Sequence, residues 1–232
     1  MKILGIDTTS KFFCVGLSDK NNIYEYKLEL GRRQSSLIVP TIQRILSVLK
    51  WDLQDIDYFA CGLGPGSFTG IRLGLSTIKG FAWVLNKKII GIPSLDILAA
   101  NAGKTNSLIV PVVDAKRGLI YCSGYKFRRG ALKRVMPYML LGVDEFVKTM
   151  KPNSCLLGDA LDLYKQDLSE KLNGVEFLDK DYWYAQPQTI IKLAQDKIRQ
   201  KEFNDAFNIK PIYLYPDACQ VKKICQVKYE KR

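Results

Sequence analysis

Histidine is absent from all 232 residues. That absence excludes Ser-His-Asp and Cys-His nucleophilic catalysis, acid–base steps run through an imidazole, and histidine ligation of a metal. Six cysteines are scattered along the chain (Cys14, Cys61, Cys122, Cys155, Cys219 and Cys225) without a Cys-x-x-Cys pair, so their spacing suggests neither a disulfide framework nor a zinc cluster. Reduced thiols packed as small core residues are expected. No apolar run approaches the roughly 18 residues of a membrane span. The opening Met1-Lys-Ile-Leu-Gly-Ile-Asp7 has neither a long apolar core nor a small-residue cleavage site, which predicts a cytoplasmic protein.

Acidic residues are also in short supply. Lys and Arg number 35 against 23 Asp and Glu, a formal net charge of +12. A surplus of this size attracts a polyanion such as RNA or an acidic protein, although a lysine-rich background composition gives the same count. The basic residues are dispersed, with small clusters at Arg32-Arg33, Arg128-Arg129, Lys222-Lys223 and Lys231-Arg232. Apolar residues make up 47% and aromatics 11%, enough for a well-buried globular core.

The stretch from Gly62 to Gly74, Gly-Leu-Gly-Pro-Gly-Ser-Phe-Thr-Gly-Ile-Arg-Leu-Gly, holds five glycines in 13 residues. Tyr58-Phe59-Ala60-Cys61 reads as a buried strand, and Gly62, Gly64 and Gly66 around Pro65 permit a tight turn. Ser67 is placed to cap a helix that runs to Asn86 with apolar residues at Ile71, Leu75, Ile78, Ala82 and Leu85. Gly66, Gly70 and Gly74 are spaced i, i+4, i+8. Each glycine inside a helix costs about 1 kcal/mol against alanine, so their repetition predicts that another backbone approaches this face closely, a partner's at a docking surface or one inside the helix's own domain. A P-loop is excluded because Thr69 and Ile71 stand where its Gly-Lys-Ser/Thr would have to begin. The dinucleotide fingerprint lacks its third glycine. A nucleophile elbow at Ser67 is excluded too, since residues 65–69 read Pro-Gly-Ser-Phe-Thr in place of Gly-x-Ser-x-Gly.

The chain reads as β-β-β-α-β-α twice, once from Asp7 and once from Asp114. The first pass places strands at Ile3 to Ile6, Phe12 to Leu17, Ile23 to Leu30, 58–61 and Lys88 to Ile92, with helices at Gln34 to Lys50, Ser67 onward and Ser94 to Ala102. Pro40 is expected near the first turn of its helix. The second places strands at Leu108 to Val113, Leu119 to Phe127, Lys133 to Leu141 and Cys155 to Gly158, with helices at Asp144 to Met150 and Ala160 to Leu172. An amphipathic helix from Gln188 to Phe203 and an extended Pro211-Ile-Tyr-Leu-Tyr215 follow. The α/β pattern predicts two similar lobes with a cleft between them: residues 1–104, residues 105–216, and a loose basic tail over 217–232.

A strand ending in Asp7, followed by a Thr8-Thr9-Ser10 hairpin and repeated in a second lobe, resembles the actin-like ATPase superfamily with its ribonuclease H-like lobes. There the hairpin cradles phosphate and the aspartate sits near the metal. That resemblance makes Asp7, Thr8, Thr9, Ser10 and Lys11 candidates for a degenerate nucleotide site, with an Asx-type turn cap as the other reading of Asp7. Against a working kinase or ATPase, Asp114-Ala-Lys-Arg replaces a small glycine-rich second hairpin, and Gly158-Asp159 replaces a pair of glycines. Ile6-Asp-Thr-Thr-Ser10, Gly64-Pro-Gly-Ser-Phe-Thr-Gly-Ile-Arg72, Ile92-Pro-Ser-Leu95, Val113-Asp-Ala-Lys-Arg-Gly118 and Lys210-Pro-Ile-Tyr-Leu214 resemble the TsaB (YeaZ) family specifically, over residues 2 to about 216.

The resemblance implies a non-catalytic subunit that pairs with TsaD, the paralogue carrying the metal site, and works with the ATPase TsaE. Together they place threonylcarbamoyl on N6 of adenosine 37 of tRNAs that read codons beginning with A. The TsaD-type site uses two histidines, which this chain lacks. The resemblance further implies no cofactor for this chain, ATP or ADP in the complex, tRNA contact through the complex, and a homodimer when alone. The shared surface would be formed by the first two helices, with Leu37, Thr41, Ile45, Gly66, Phe68, Gly70, Ile71, Gly74, Leu75 and Ile78 at the interface. One departure is Gln34-Ser35-Ser36, where many members carry His-Ser, so an imidazole contact there is missing.

Overall fold

The computed structural model describes residues 1–20, 22–29 and 34–215. Arg32-Arg33, the side chains of Gln34 and Ser35, and the tail expected at 217–232 lie outside the described residues.

The first lobe runs β1 (Ile3–Asp7), β2 (Phe12–Ser18), β3 (Ile23–Glu29), α1 (Gln34–Leu49), β4 (Tyr58–Gly62), α2 (Phe68–Val84), β5 (Lys88–Ile92) and α3 (Ser94–Asn101). Its five strands order as β3-β2-β1-β4-β5, with β1, β2 and β3 antiparallel and β1, β4 and β5 parallel. Every residue of β1 is buried because both faces of the sheet are covered. Leu4 and Ile6 point into one core with Phe59, Ile42 and Ile78. Ile3 points into the other with Ala60 and Ile90. Pro40 lies on the exposed side of α1 in its second turn, one turn later than expected.

The second lobe runs β6 (Leu108–Lys116), β7 (Leu119–Cys122), β8 (Tyr125–Arg128), β9 (Ala131–Arg134), β10 (Met139–Gly142), α4 (Val143–Thr149), β11 (Ser154–Leu157), α5 (Leu161–Lys171), β12 (Val175–Phe177) and α6 (Pro187–Arg199). The order β10-β7-β6-β11-β12 repeats that of the first sheet, so both lobes have the actin-like arrangement. Two strands expected to be continuous are each broken. At Gly124 the chain leaves its pairing with β10 and starts a separate hairpin, β8–β9. The Gly124 carbonyl accepts from both Val135 N (2.7 Å) and Met136 N (3.1 Å), which pinches the hairpin at its base. The short β12, which the sequence pattern did not suggest, pairs in parallel with β11.

The third helices cross between lobes. Leu95, Leu98 and Ala99 of α3 are buried in the core of the second lobe. In return, Ile190, Ile191 and Ala194 of α6 pack on the first sheet with Ile3 and Cys14. Glycines in β1 and β2 make that floor flat: a Cβ on Gly5 would meet Ile190 at 2.8 Å, and one on Gly16 would meet the Pro187 carbonyl at 2.6 Å. The segment after α6 stays on the first lobe, with Asn204 pairing to Ile89 and Ile212 N donating to Leu63 O. A division at residues 104 and 105 therefore separates α6 from the sheet it packs on. Cys14, Cys61, Cys122 and Cys155 are free and buried. No helix among the described residues is long and apolar enough to cross a membrane.

Candidate partner-binding face and interlobe cleft

Helix α2 starts where the sequence places it. Ser67 Oγ accepts from Gly70 N at 3.2 Å, the expected cap. The close approach read from Gly66, Gly70 and Gly74 is also present, but the approaching backbone is the protein's own β1–β2 hairpin. A Cβ on Gly70 would lie 1.9 Å from the Thr8 carbonyl oxygen, one on Gly74 2.3 Å from Thr8 Oγ1, and one on Gly66 2.5 Å from the Thr9 carbonyl oxygen. Thr8 Oγ1 donates to Gly70 O at 2.7 Å across the same contact. The assignment of Gly66, Gly70, Gly74, Ile71, Leu75 and Ile78 to a partner interface is corrected accordingly. Gly66 is half-buried and the other five are buried, with Leu75 and Ile78 in the first core.

The outward side of α2 is a different stripe: Thr69, Arg72, Ser76, Gly80 and Trp83, all exposed. Trp83 is 66% exposed and its neighbour Val84 77%. A Cβ on Gly80 would meet nothing within 4 Å. Beside the stripe, Val39, Gln43 and Ser47 of α1 and Lys50 just after it line a groove of about 530 Å³ closed by Phe81 of α2. Of the expected interface residues, Phe68 is exposed. Leu37, Thr41 and Ile45 are half-buried, on the flank of α1 turned to β3, where they line a groove of about 580 Å³ with Tyr24 and Tyr26. The sequence reading missed Ser76, Gly80 and Trp83. Their i, i+4, i+7 spacing was readable, but mixed polarity hid the stripe from a search for apolar periodicity.

The cleft between the lobes measures about 1200 Å³. Thr9, Ser10 and Lys11 line it; Asp7 and Thr8 do not. Asp7 is fully buried and accepts from Thr9 N (3.0 Å), Thr9 Oγ1 (2.9 Å) and Ser94 Oγ (3.4 Å), the pattern of a turn cap. Burial raises its carboxyl above the usual carboxylate range. Lys11 pairs with Glu29 at 3.2 Å and lies over the rings of Phe12 and Tyr184. Across the cleft, Asp114 binds both the backbone N (2.8 Å) and the ammonium of Lys116. Asp159 accepts from Asp114 N at 3.0 Å, and burial pushes its carboxyl up to about 6.

A strap formed by residues 211–215 spans the cleft. Tyr213 accepts from Arg72 Nε at 3.2 Å and packs on Phe68, whereas Tyr215 OH donates to the Ala115 carbonyl at 2.6 Å. Both hairpins of the cleft are thus occupied by contacts within the chain.

A family model described as TsaD, tRNA N6-adenosine threonylcarbamoyltransferase, matches residues 29–208. The tRNA threonylcarbamoyladenosine biosynthesis protein TsaB of Bacillus subtilis (strain 168) is 29% identical over 219 residues, covering 92% of this chain and 94% of its own. The chain belongs to the TsaB/YeaZ family. The Escherichia coli (strain K12) TsaB is 32% identical over a shorter 128 residues, 54% of this chain and 55% of its own. Among solved structures, YeaZ from Pseudomonas aeruginosa shares the fold with a TM-score of 0.80 at 21% identity, over 92% of this chain and 99% of that one. A second Pseudomonas aeruginosa structure, described as similar to peptidase YEAZ, gives 0.81 at 20%. In this TsaB/YeaZ chain the serine in the glycine segment is engaged as the cap of α2, with no histidine anywhere in the sequence to serve as its base.

Proposed function

We propose that this chain is the non-catalytic partner of a TsaD-type enzyme, activating it together with TsaE for transfer of threonylcarbamoyl to N6 of adenosine 37 of tRNAs that read ANN codons. When TsaD is absent the same face pairs two copies of this chain. The observation that carries the reading is the outward face of α2, where Ser76 and the open Gly80 let another helix approach while Trp83, Val84 and Phe68 leave apolar area to bury. The lack of histidine supports a non-catalytic role. The buried, capped Asp7 supports a cleft that needs no cofactor of its own, so ATP or ADP enters with the complex.

The test is threonylcarbamoyl transfer to tRNA by TsaD, TsaE and the adenylate-forming enzyme, with and without this chain, alongside size-exclusion of the TsaD mixture. Transfer is expected only when the chain is added, with co-elution. Gly80→Leu is expected to leave the chain folded, because the space there is open, while abolishing co-elution and cutting the stimulated transfer at least tenfold. Unchanged co-elution of that variant would remove the α2 face from the interface.

A further inference from the structure

Among the described residues, the β8–β9 hairpin is the one part of the second sheet without a counterpart in the first. Its ten residues, Tyr125-Lys-Phe-Arg-Arg-Gly-Ala-Leu-Lys-Arg134, carry five cations, and no Asp or Glu occurs between Tyr125 and Val143. The pleat sorts them by face. Phe127 and Leu132 stand opposite each other and pack against the core of the second lobe. Lys126 and Arg128 alternate with Phe127 and so face outward, where Lys133 lies directly opposite Lys126. Arg129 adds a further cation at the turn, with φ 51°, a conformation that favours Asn, Asp or Gly.

Like charges paired across strands, about 5 Å apart, destabilise a hairpin. Here the repulsion is unrelieved: Lys126, Arg128, Arg129 and Lys133 are exposed, and none forms an ion pair among the described residues. The platform beneath them is fixed by the bonds to the Gly124 carbonyl and by Ser123 Oγ donating to Met136 O at 2.8 Å. Asp96, the acid that reaches this hairpin, accepts from Tyr125 OH at 2.6 Å on the opposite, core-facing side, so the outward cationic face matches a polyanion. The apolar side chains exposed beside the cations are the small Ala131 and Val135, without the aromatic anchor typical of a protein partner's interface core. A charged backbone needs only the cations.

We infer that the outward face of β8–β9 binds the phosphate backbone of RNA. The choice of RNA among polyanions rests on the tRNA-modification reading above. Binding of tRNA to the full chain is measured by fluorescence anisotropy between about 50 and 200 mM salt. Lys126→Ala/Arg128→Ala/Lys133→Ala is expected to lose at least tenfold in affinity at the low end and to flatten the log–log salt slope by about two to three. It should melt no lower than the parent, since it removes like-charge repulsion. Lys126→Arg/Lys133→Arg should keep the affinity. Lys20→Ala/Lys104→Ala/Lys201→Ala, an equal charge loss elsewhere, should change it less than threefold.

Unchanged binding by the hairpin variant, or an equal loss in the control, overturns the inference. So does binding of poly-glutamate, and not of tRNA, that the hairpin variant loses; that result would assign the face to an acidic protein. Co-elution with TsaD is read in parallel. If the parent chain fails to bind TsaD, the proposed function falls while the RNA comparison is still decided by the variants.

Discussion

The two lobes share one strand order and differ in how their helices meet their first hairpins. In the first lobe, α2 and the turn before it lie down on the β1–β2 hairpin through Gly66, Gly70 and Gly74, with atoms of Thr8 and Thr9 in the places side chains would fill. In the second, α5 has no glycine, is 11 residues long against 17, and presents Asp162, Lys165, Gln166 and Glu170 outward. Its hairpin is held instead by Asp114, Lys116 and the strap. The second sheet also carries the basic β8–β9 hairpin that the first does not have. A duplicated architecture has thus diverged: close internal packing on the first hairpin leaves the first lobe with a smooth outward helix, and the second lobe has an added charged surface.

The sharpest break in that comparison comes from the two kinds of glycine on α2. Gly70→Leu drives a side chain into the Thr8 carbonyl, a backbone atom that cannot step aside, and is expected to cost more than about 3 kcal/mol or to prevent folding. Gly80→Leu, ten residues along the same helix, should be neutral or stabilise by up to about 1 kcal/mol. Urea denaturation of the pair measures both. Equal stability would mean that the hairpin contact has no grip on the fold.

That pair also marks what the sequence could tell. The central strands of both sheets were readable from buried apolar runs such as Ile3-Leu-Gly-Ile6 and Leu108-Ile-Val-Pro-Val-Val113, and the duplication followed from their order. The i, i+4, i+8 glycines announced a close backbone but could not say whose, because Thr8 and Thr9 lie some 60 residues away and only the folded lobe brings them under α2. In the same way the apolar stripe of α6 was visible, while its target, a sheet floor made by Gly5 and Gly16, is a tertiary fact. The exposed stripe of α2 was hidden by its own polarity, since Thr69, Arg72 and Ser76 give no apolar signal. The break at Gly124 was hidden because apolar residues continue past it at Tyr125 and Phe127.

The two lobes also differ in the accessibility of their acids. Asp7 is sealed, whereas Asp159 lines the cleft with its carboxyl raised to about 6 from 3.8. Between those values the folded protein holds a proton that the unfolded chain has released, so stability contributed by the neutral acid falls as pH rises from about 4 to 6. Asp159→Asn retains the oxygen that accepts from Asp114 N. It is expected to remove that fall, gaining on the order of 2 kcal/mol over the parent at pH 7 and nothing at pH 3.5. Parallel denaturation curves at the two pH values check it. A pH-independent difference would show that the substitution acts through packing.

The smallest effect belongs to the strap. Tyr215→Phe deletes the bond to the Ala115 carbonyl while leaving the ring beside Tyr121, at a cost of about 1 kcal/mol. If the second hairpin depends on the strap, amide exchange should quicken at 114–118 and stay unchanged at 7–11, where α2 and its glycines hold the backbone. Faster exchange in both hairpins would mean that the strap couples the lobes across the cleft, through Tyr213 and Arg72 to the start of α2. No change in either would leave the second hairpin to its own Asp114 and Lys116 bonds, and the two lobes would then be equally self-sufficient in holding their first turns.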